Sequence, residues 1–453
     1  MGFISNIGNG VLDILRSSGE ASAPIVINKG SDITDVIPGD ISIIDITLSS
    51  EDGQRKETLI GVCAAIDIFE SINTPGIFCE LVINDSRRIY QDFPILKEEF
   101  ITVTFETPGN PGNPTSYYFR LNDVMNIVIN ENQRTMSYTL QGVSPELWTN
   151  SKTLVDKEYN DNISDIVKNI MEEKIQSKKK LQVDKTIGVD KHQLFNFKPF
   201  RAIHSLLEFS ISDRYLSHTY TFFENRDGFH YTTYERLIEK GRKEIARGSS
   251  DKHFFYDSVR KERIEDVNIR NIIAYNQVAA ASAIEKNSSG VHVGTATTID
   301  MQTAGQRQAA YTANIGNDKF QRMDENGAAT NSTNNVRISG KTKRPTAFNL
   351  LPIFSNRSKT PLAESFASRQ AFIEHLTNNV TQIHIYGDSE LTVGDMIRCS
   401  FPSASSFDDA TGKSRLDSGN YLITRLRHII LINDRPQHTI SLELVKNDLS
   451  ENA

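Results

Sequence analysis

Tyr421-Leu422-Ile423-Thr424-Arg425-Leu426-Arg427-His428-Ile429-Ile430-Leu431-Ile432, then Asn433-Asp434-Arg435-Pro436-Gln437, then His438-Thr439-Ile440-Ser441-Leu442-Glu443-Leu444, is the stretch from which the fold is read. In the second arm Ile440, Leu442 and Leu444 alternate with Thr439, Ser441 and Glu443. A side-chain period of two is the mark of a half-buried strand. Asn433-Asp434-Arg435-Pro436 supplies turn chemistry, because Asx side chains cap their own backbone and proline presets φ. In the first arm Arg425 and Arg427 share one face, and Leu422, Leu426, Ile430 and Ile432 share the other. The stretch predicts a long antiparallel hairpin with one apolar face.

Similar text stands far upstream. Ile129-Asn130-Glu131-Asn132-Gln133-Arg134 followed by Thr135-Met136-Ser137-Tyr138-Thr139-Leu140 lines up with Ile432-Asn433-Asp434 and Thr439 to Leu444, with one residue fewer in the turn. Before it, Val124-Met125-Asn126-Ile127-Val128 matches Leu426-Arg427-His428-Ile429-Ile430. Two amphipathic hairpins can resemble each other by chance. A true repeat would mean two like β-units in one chain.

At 453 residues the chain calls for about three domains. A net charge of −7 argues against general nucleic-acid binding, which needs clustered cations to neutralise phosphates. Three cysteines, Cys63, Cys79 and Cys399, cannot form a disulfide framework. Folding back at Asn73–Gly76 does not bring Cys63 opposite Cys79, so buried free thiols are expected. No run approaches the length of a membrane-spanning helix, and no membrane insertion is expected. The N-terminus lacks the basic region of a secretory signal, and Asn6 stands where a myristoylation signal needs Ser or Thr. Ile4, Ile7, Val11 and Ile14 are helically spaced, but Gly2, Gly8 and Gly10 dilute them, which favours a frayed tail over a docking helix.

From residue 41 to 121, strand signals recur at roughly ten-residue spacing between turns such as Glu51-Asp52-Gly53 and Asn73-Thr74-Pro75-Gly76. That rhythm implies a sandwich or barrel. Ser144-Pro145-Glu146 reads as a capped helix start, and Ile163, Ile166, Val167, Ile170 and Met171 mark a second helix, ending near the solvated run Lys178-Lys179-Lys180. Pro199 opens a third. Tyr220 to Tyr231 flank Asp227-Gly228 with aromatic-rich alternation, a strong hairpin signal. Glu224 and Asp227 there could serve as a hydrolase acid/base pair, although carboxylates beside a tight turn are common without catalysis. Between residues 277 and 350, Ala, Ser, Thr, Asn, Gly and Gln dominate, which predicts an extended arm or disordered insertion. Ser339-Gly340-Lys341-Thr342 ends like a phosphate-binding loop, but Asn335 replaces the leading glycine, so the resemblance fails. Pro361 opens a last helix with Leu362, Phe366, Ile373 and Leu376 facing inward.

Neither metal-ligand spacing nor a nucleophile elbow occurs among the ten histidines and the serines, so no catalytic residue, cofactor or metal is assigned. His428, in mid-strand, reads as a satisfied or lumen-exposed side chain rather than a ligand.

Tyr138-Thr139-Leu140-Gln141-Gly142-Val143-Ser144-Pro145-Glu146-Leu147, then Val155 and Tyr159, Ile163-Ser164-Asp165-Ile166-Val167, Asn196-Phe197-Lys198-Pro199-Phe200, Phe222-Phe223-Glu224 and Asp227-Gly228-Phe229 resemble the central baseplate hub protein of T4-like contractile-tailed phages. Gly419-Asn420-Tyr421-Leu422 through His428 and Leu442 look like the closing strands shared by that hub and the related type VI secretion spike. The resemblance covers residues 38–260 and 380–448 and leaves the N-terminal extension and 277–350 unmatched. It implies an α+β, mainly β fold, with two similar tube-type antiparallel β-barrel domains and an inserted α/β domain between them. The domains expected are an N-terminal extension (1–37), a first tube-like β-domain (38–143), a helix-rich domain with the Phe222–Phe229 hairpin (144–260), a return strand (261–276), a polar insertion or arm (277–360) and a second tube-like β-domain (361–449).

The resemblance further implies a homotrimer at the virion's tail baseplate, assembled in the host cytoplasm, whose pseudo-sixfold ring joins the hexameric tail tube or its initiator to a trimeric central spike. Surrounding baseplate proteins would be further partners, and DNA would pass without specific binding. A threefold object can match a sixfold one when each subunit offers two similar surfaces. Arg425, Arg427, Thr439, Ser441 and Glu443 are the expected lumen or neighbour-contact face; a plain solvated strand face is the alternative. The competing functions are a secretion-type spike hub, a tail-associated peptidoglycan hydrolase using Glu224 and Asp227, and a plain binding module.

Overall fold

The computed structural model describes residues 38–107, 113–130, 135–247, 252–256, 269–279, 293–300, 306–312, 347–353, 380–402 and 417–446, together with residues 369, 372, 373 and 376. The first seven strands are β1 Ser42–Ser49, β2 Lys56–Thr58, β3 Cys63–Ser71, β4 Phe78–Asp85, β5 Phe100–Glu106, β6 Thr115–Asn130 and β7 Thr135–Val143, with a short helix α1, Ile89–Asp92, after β4. Alternation sets their inner face: Ile66 and Ile68, Leu81 and Ile83, Ile101 and Val103, and Tyr138 and Leu140 are buried together.

The middle of the chain has its own core. It comprises α2 Pro145–Lys152, β8 Val155–Asp161, α3 Ile163–Ile170, β9 Leu181–Val183, β10 Asp190–Phe197, α4 Pro199–Leu206, β11 Tyr220–Asn225, β12 Gly228–Thr233 and α5 Tyr234–Ala246. Ser144 does not cap α2 as expected. Its hydroxyl instead accepts from Ile77 N at 2.9 Å, tying the helix start to the approach to β4. The β11–β12 hairpin forms as predicted, with Asn225 opposite Gly228. Gly228 has φ +128°, and a Cβ there would lie 2.2 Å from Lys180 O, so only glycine fits. Thr233 caps α5 by accepting from Arg236 N at 3.3 Å. Thr233→Ala should cost about 1 kcal/mol in chemical denaturation.

The remaining strands are β13 His253–Phe255, β14 Ile272–Ala279, β15 Val293–Asp300, β16 Gln306–Thr312, β17 Ala347–Ile353, β18 Val380–Tyr386, β19 Met396–Ser400, β20 Gly419–Leu431 and β21 Gln437–Val445. The stretch expected to be an arm or disordered holds β15, β16 and β17, which form a three-stranded sheet. Thr295, Thr297 and Ile299 show why: β-branched residues favour a ladder even in a polar sequence. In the expected last helix Phe372 and Leu376 are buried, while Leu362 and Phe366 lie outside the described residues, as does the N-terminal stretch 1–37.

Two sets of five strands repeat one connectivity. The first lies in spatial order β3-β4-β7-β6-β5 and the second in the order β14-β18-β21-β20-β19, every neighbouring pair antiparallel. Two bulges fall at the same places, whereas the shifts between Met125 and Val128 in β6 and between Gln277 and Ala279 in β14 have no counterpart. The β6–β7 ladder shifts between Leu121 and Asp123, opposite Gly142 and Gln141; the β20–β21 ladder shifts between Ile423 and Arg425, opposite Leu444 and Glu443. Likewise β3 shifts between Cys63 and Ala65, and β14 between Ile272 and Ala274. The bulges make Leu140 the counterpart of Leu442, two residues from the pairing read in the sequence. A slip of two preserves the buried face, so alternation alone could not detect it.

The two units do not stand as separate barrels. Arg425–Leu431 of β20 pairs with Ala65–Ser71 of β3, joining both into one thirteen-stranded sheet. Outside the paired units, β1 runs antiparallel to β5, whereas β13 runs parallel to β19. The three cysteines are buried free thiols, and burial pushes Cys63 up to about 12.

Candidate functional site

β20 and β21 place all five predicted face residues on the half-exposed side of the sheet, while Ile440, Leu442 and Leu444 are buried on the other. Arg425 stands opposite Glu443, and Arg427 opposite Ser441. Arg425 Nη1 donates to Glu443 Oε2 at 3.1 Å. Thr424, bulged beside it, donates to the backbone oxygen of Glu443 at 3.1 Å and to Oε1 at 3.0 Å. Thr439 faces Ile429.

Arg427 reaches across to the other unit. Its Nε and Nη2 donate to the two carboxylate oxygens of Asp67 on β3, both at 3.0 Å. Fork-to-fork geometry fixes orientation as well as charge. Row by row the polar face continues through Asp67, Glu80, Gln141 and Asp123, which stand opposite one another across β3, β4, β7 and β6. Both arginines are matched by a carboxylate, so this face offers little net cationic charge to a phosphate backbone.

Beneath the seam lies a buried polar chain that pattern reading did not predict. Thr392 Oγ1 donates to Glu70 Oε2 at 2.6 Å, Val393 N donates to the same oxygen at 3.2 Å, and Tyr117 Oη donates to Glu70 Oε1 at 3.2 Å. Tyr117 Oη lies 3.4 Å from His428 Nε2, and His428 Nδ1 lies 3.0 Å from His438 Nε2. With Tyr117 donating to Glu70, His428 must present Nε2–H to Tyr117 and accept at Nδ1 from His438. Phe105 meets both imidazoles edge-on. Burial, then the neighbouring His438, holds His428 well below the usual histidine value, and burial lowers His438 to about 3. Glu70 is raised by burial. His428 is therefore a satisfied core group, not lumen-exposed. Its partners come from β3, β6, β21 and the turn before β19, a set joined only by folding.

Glu224 and Asp227 separate. Glu224 is fully buried, salt-bridged to Lys179, which also pairs with Glu146 at 2.7 Å. Burial raises Glu224 to about 7 against the pull of Lys179. Asp227 is exposed in the turn, 3.5 Å from Arg226 Nε. Among the described residues no group of three His, Cys, Asp or Glu is placed to hold a metal ion, and no helix is long and apolar enough to cross a membrane.

No family model matches the chain, and no curated protein matches it by sequence. Among solved structures, the chain is similar to a tail protein from Neisseria meningitidis MC58, at 9% identity and TM-score 0.51, over 89% of this chain and 96% of that one. It is similar also to the 43 kDa tail protein of prophage MuSo2 from Shewanella oneidensis, at 12% identity and TM-score 0.51, over 89% and 98%. A looser match, TM-score 0.44 at 13% identity, is to a Francisella PdpA–VgrG complex, over 91% of this chain and 59% of that one. The chain thus has a mainly β, α+β fold shared with phage tail proteins.

Proposed function

We propose that this chain is a non-enzymatic structural hub of a phage-tail baseplate. Three copies form a pseudo-sixfold ring that joins a hexameric tail tube to a trimeric spike and forms part of the DNA conduit. The observation that carries this reading is the repeated strand order, with matched bulges, in β3–β7 and in β14 with β18–β21. One subunit then offers two similar surfaces, which a threefold adaptor needs on its sixfold side. Arg425, Arg427, Thr439, Ser441 and Glu443 are assigned to the channel-facing side. Pairing of both arginines with carboxylates supports that role, since a conduit must not retain phosphates.

Mass measurement of the full chain, with and without a trimeric spike protein from the same genome, tests it. The expected result is a three-chain species, alone or on adding the spike. A single-chain mass under both conditions would sink the reading. A hydrolase is tested separately: cell-wall turnover by the purified chain, abolished by Glu224→Gln, would replace this proposal.

A further inference from the structure

The β11–β12 hairpin of the middle domain is wedged where the two β-units meet. Thr221 Oγ1 donates to the backbone oxygen of Ile72, just past β3, at 2.7 Å. Asn225 Nδ2 donates to Val393 O at 3.1 Å, and Arg226 Nη1 donates to Ser389 O. A Cβ added at Gly394 would lie 3.1 Å from Phe223 Cζ, so ring and backbone are in close contact. The turn from Asp388 to Val393 is thus held from two sides. The hairpin grips one side; on the other, Glu70 accepts from Thr392 and Val393, and the hydroxyls of Thr107 and Ser389 meet at 2.7 Å.

We propose that this hairpin is an acid-released latch: lowering the pH withdraws it from the junction while the β3–β20 ladder between the two units stays paired. Arg226 supplies the link. From the hairpin its guanidinium faces Glu70 on β3, Tyr117 on β6 and His428 on β20. Glu70 is the opposite charge in that site. A proton on His428 would set a second cation beside Arg226, buried and without a carboxylate of its own. The remaining charged groups nearby already have partners. Asp227 lies 3.5 Å from Arg226 Nε in the same turn, and Asp388 is paired with Arg270 at 2.7 Å. His438 on β21 lies 3.0 Å behind His428, and His230 on β12 lies 2.9 Å from Asn225 Oδ1.

The direction follows from proton linkage. In the closed latch, burial, then His438, then Arg226 hold His428 well below the usual histidine value. Once the tip withdraws, the imidazole meets water and returns to about 6.5. Below that pH the open form binds a proton that the closed form refuses. Opening should rise up to about twentyfold between pH 7 and pH 5. Glu70 works the other way, since burial raises its carboxyl in the closed form. His230, lowered by burial to about 4, is bonded within its own hairpin and moves with it. The ladder between the units depends on backbone bonds of β3 and β20 that the tip does not touch.

The test uses the full chain with Thr221→Cys, a near-isosteric change at a buried site that the hairpin covers by docking on Ile72. Its labelling by a pyridyl disulfide, which stays reactive at pH 5, is compared with the same thiol in urea; the ratio of rates measures opening. The three native thiols, buried in the β-units, report opening of the units themselves. From pH 7 to pH 5 the introduced thiol should label more readily by up to about twentyfold, with the native thiols lagging. Adding His428→Gln should abolish that rise. Adding Arg226→Gln, in a turn partly open to solvent, removes a charged donor and should raise labelling at pH 7 at least about tenfold. No rise in the parent, an equal rise with His428→Gln, or native thiols keeping pace with the introduced one overturns the latch. If His428→Gln does not fold, Arg226→Gln decides: unchanged labelling at pH 7 overturns it. The measurement concerns a single chain, so its failure leaves the hub reading intact.

Discussion

Acidification from pH 7 to pH 5 is expected to cost the seam between the two β-units about 2 kcal/mol through His438, with a further loss of the same sign from His428. The sign follows from where the protons go. Both imidazoles are neutral in the folded chain, His438 lowered by burial to about 3 and His428 well below its usual value. Above pH 6.5 neither folded nor unfolded chain carries the charge, and the pair has no pH effect. Below it the unfolded chain binds protons that the fold refuses, so stability falls by about 1.4 kcal/mol per pH unit per histidine until the folded values are reached. Glu70 offsets part of this, since its raised carboxyl takes up a proton ahead of the unfolded chain. Arg226, facing His428, opposes its protonation further. His438→Gln keeps a donor for His428 Nδ1 but removes one titration. Urea denaturation should then show a loss between pH 7 and pH 5 smaller than the parent's by about 2 kcal/mol. Equal losses in parent and variant would show that the pair is not the acid-sensitive element. A loosened seam would change the angle between the units, so ring mass at pH 5 is the functional counterpart of this measurement.

What the sequence made legible is what repeats over a few residues. Alternation in Ile440, Leu442 and Leu444 identified the buried face, and Asp227-Gly228 identified the hairpin, because both signals depend on neighbours in the chain. The likeness of the two hairpins was visible for the same reason, and the strand order around them repeats. The bulges at Asn122, Thr424, Ala64 and Ile273 were not legible: none is glycine, and each is defined by its partner strand. Without them the two hairpins could be aligned two residues out of register. The seam was hidden for a related reason. Asp67 and Arg427 meet across nearly the whole chain, and Glu70 gives no sign in its own strand that Tyr117, Thr392 and two histidines will enclose it. β14 was read as a simple return strand, although its bulge makes it the counterpart of β3. The five face residues were found from alternation, but their division into an intra-unit pair and an inter-unit pair required the fold.

Lys179→Met is expected to cost about 3 kcal/mol at pH 8 and under about 1 kcal/mol at pH 5, an effect separating a structural Glu224 from a catalytic one. Lys179 bridges Glu224, which is fully buried, and Glu146, which is nearly so. Burial works against its charge, yet Glu224 and Glu146 hold the ammonium above its ordinary value. Removing it leaves a buried carboxylate without its cation, which is the costly way to break such a pair. The lysine keeps some contact with solvent, which places the cost at the lower end of the usual range. Glu224 is already raised by burial to about 7 with the lysine present, so the variant's carboxylate should stay protonated well above pH 5. A protonated acid needs no cation, and the penalty should fade as pH drops. Glu224→Gln in the Lys179→Met background should recover most of the loss at pH 8, because it removes the stranded charge. Trp148, the single tryptophan, lies on α2 with Glu146 and stacks under Arg120 at 4.3 Å, so its fluorescence follows unfolding at this junction. A catalytic acid would behave otherwise: Lys179→Met would alter the pH profile of turnover, and Glu224→Gln would remove turnover rather than restore stability. Recovery in the double variant, with no turnover in any form, assigns the triad to fastening the middle domain's helix to its hairpin.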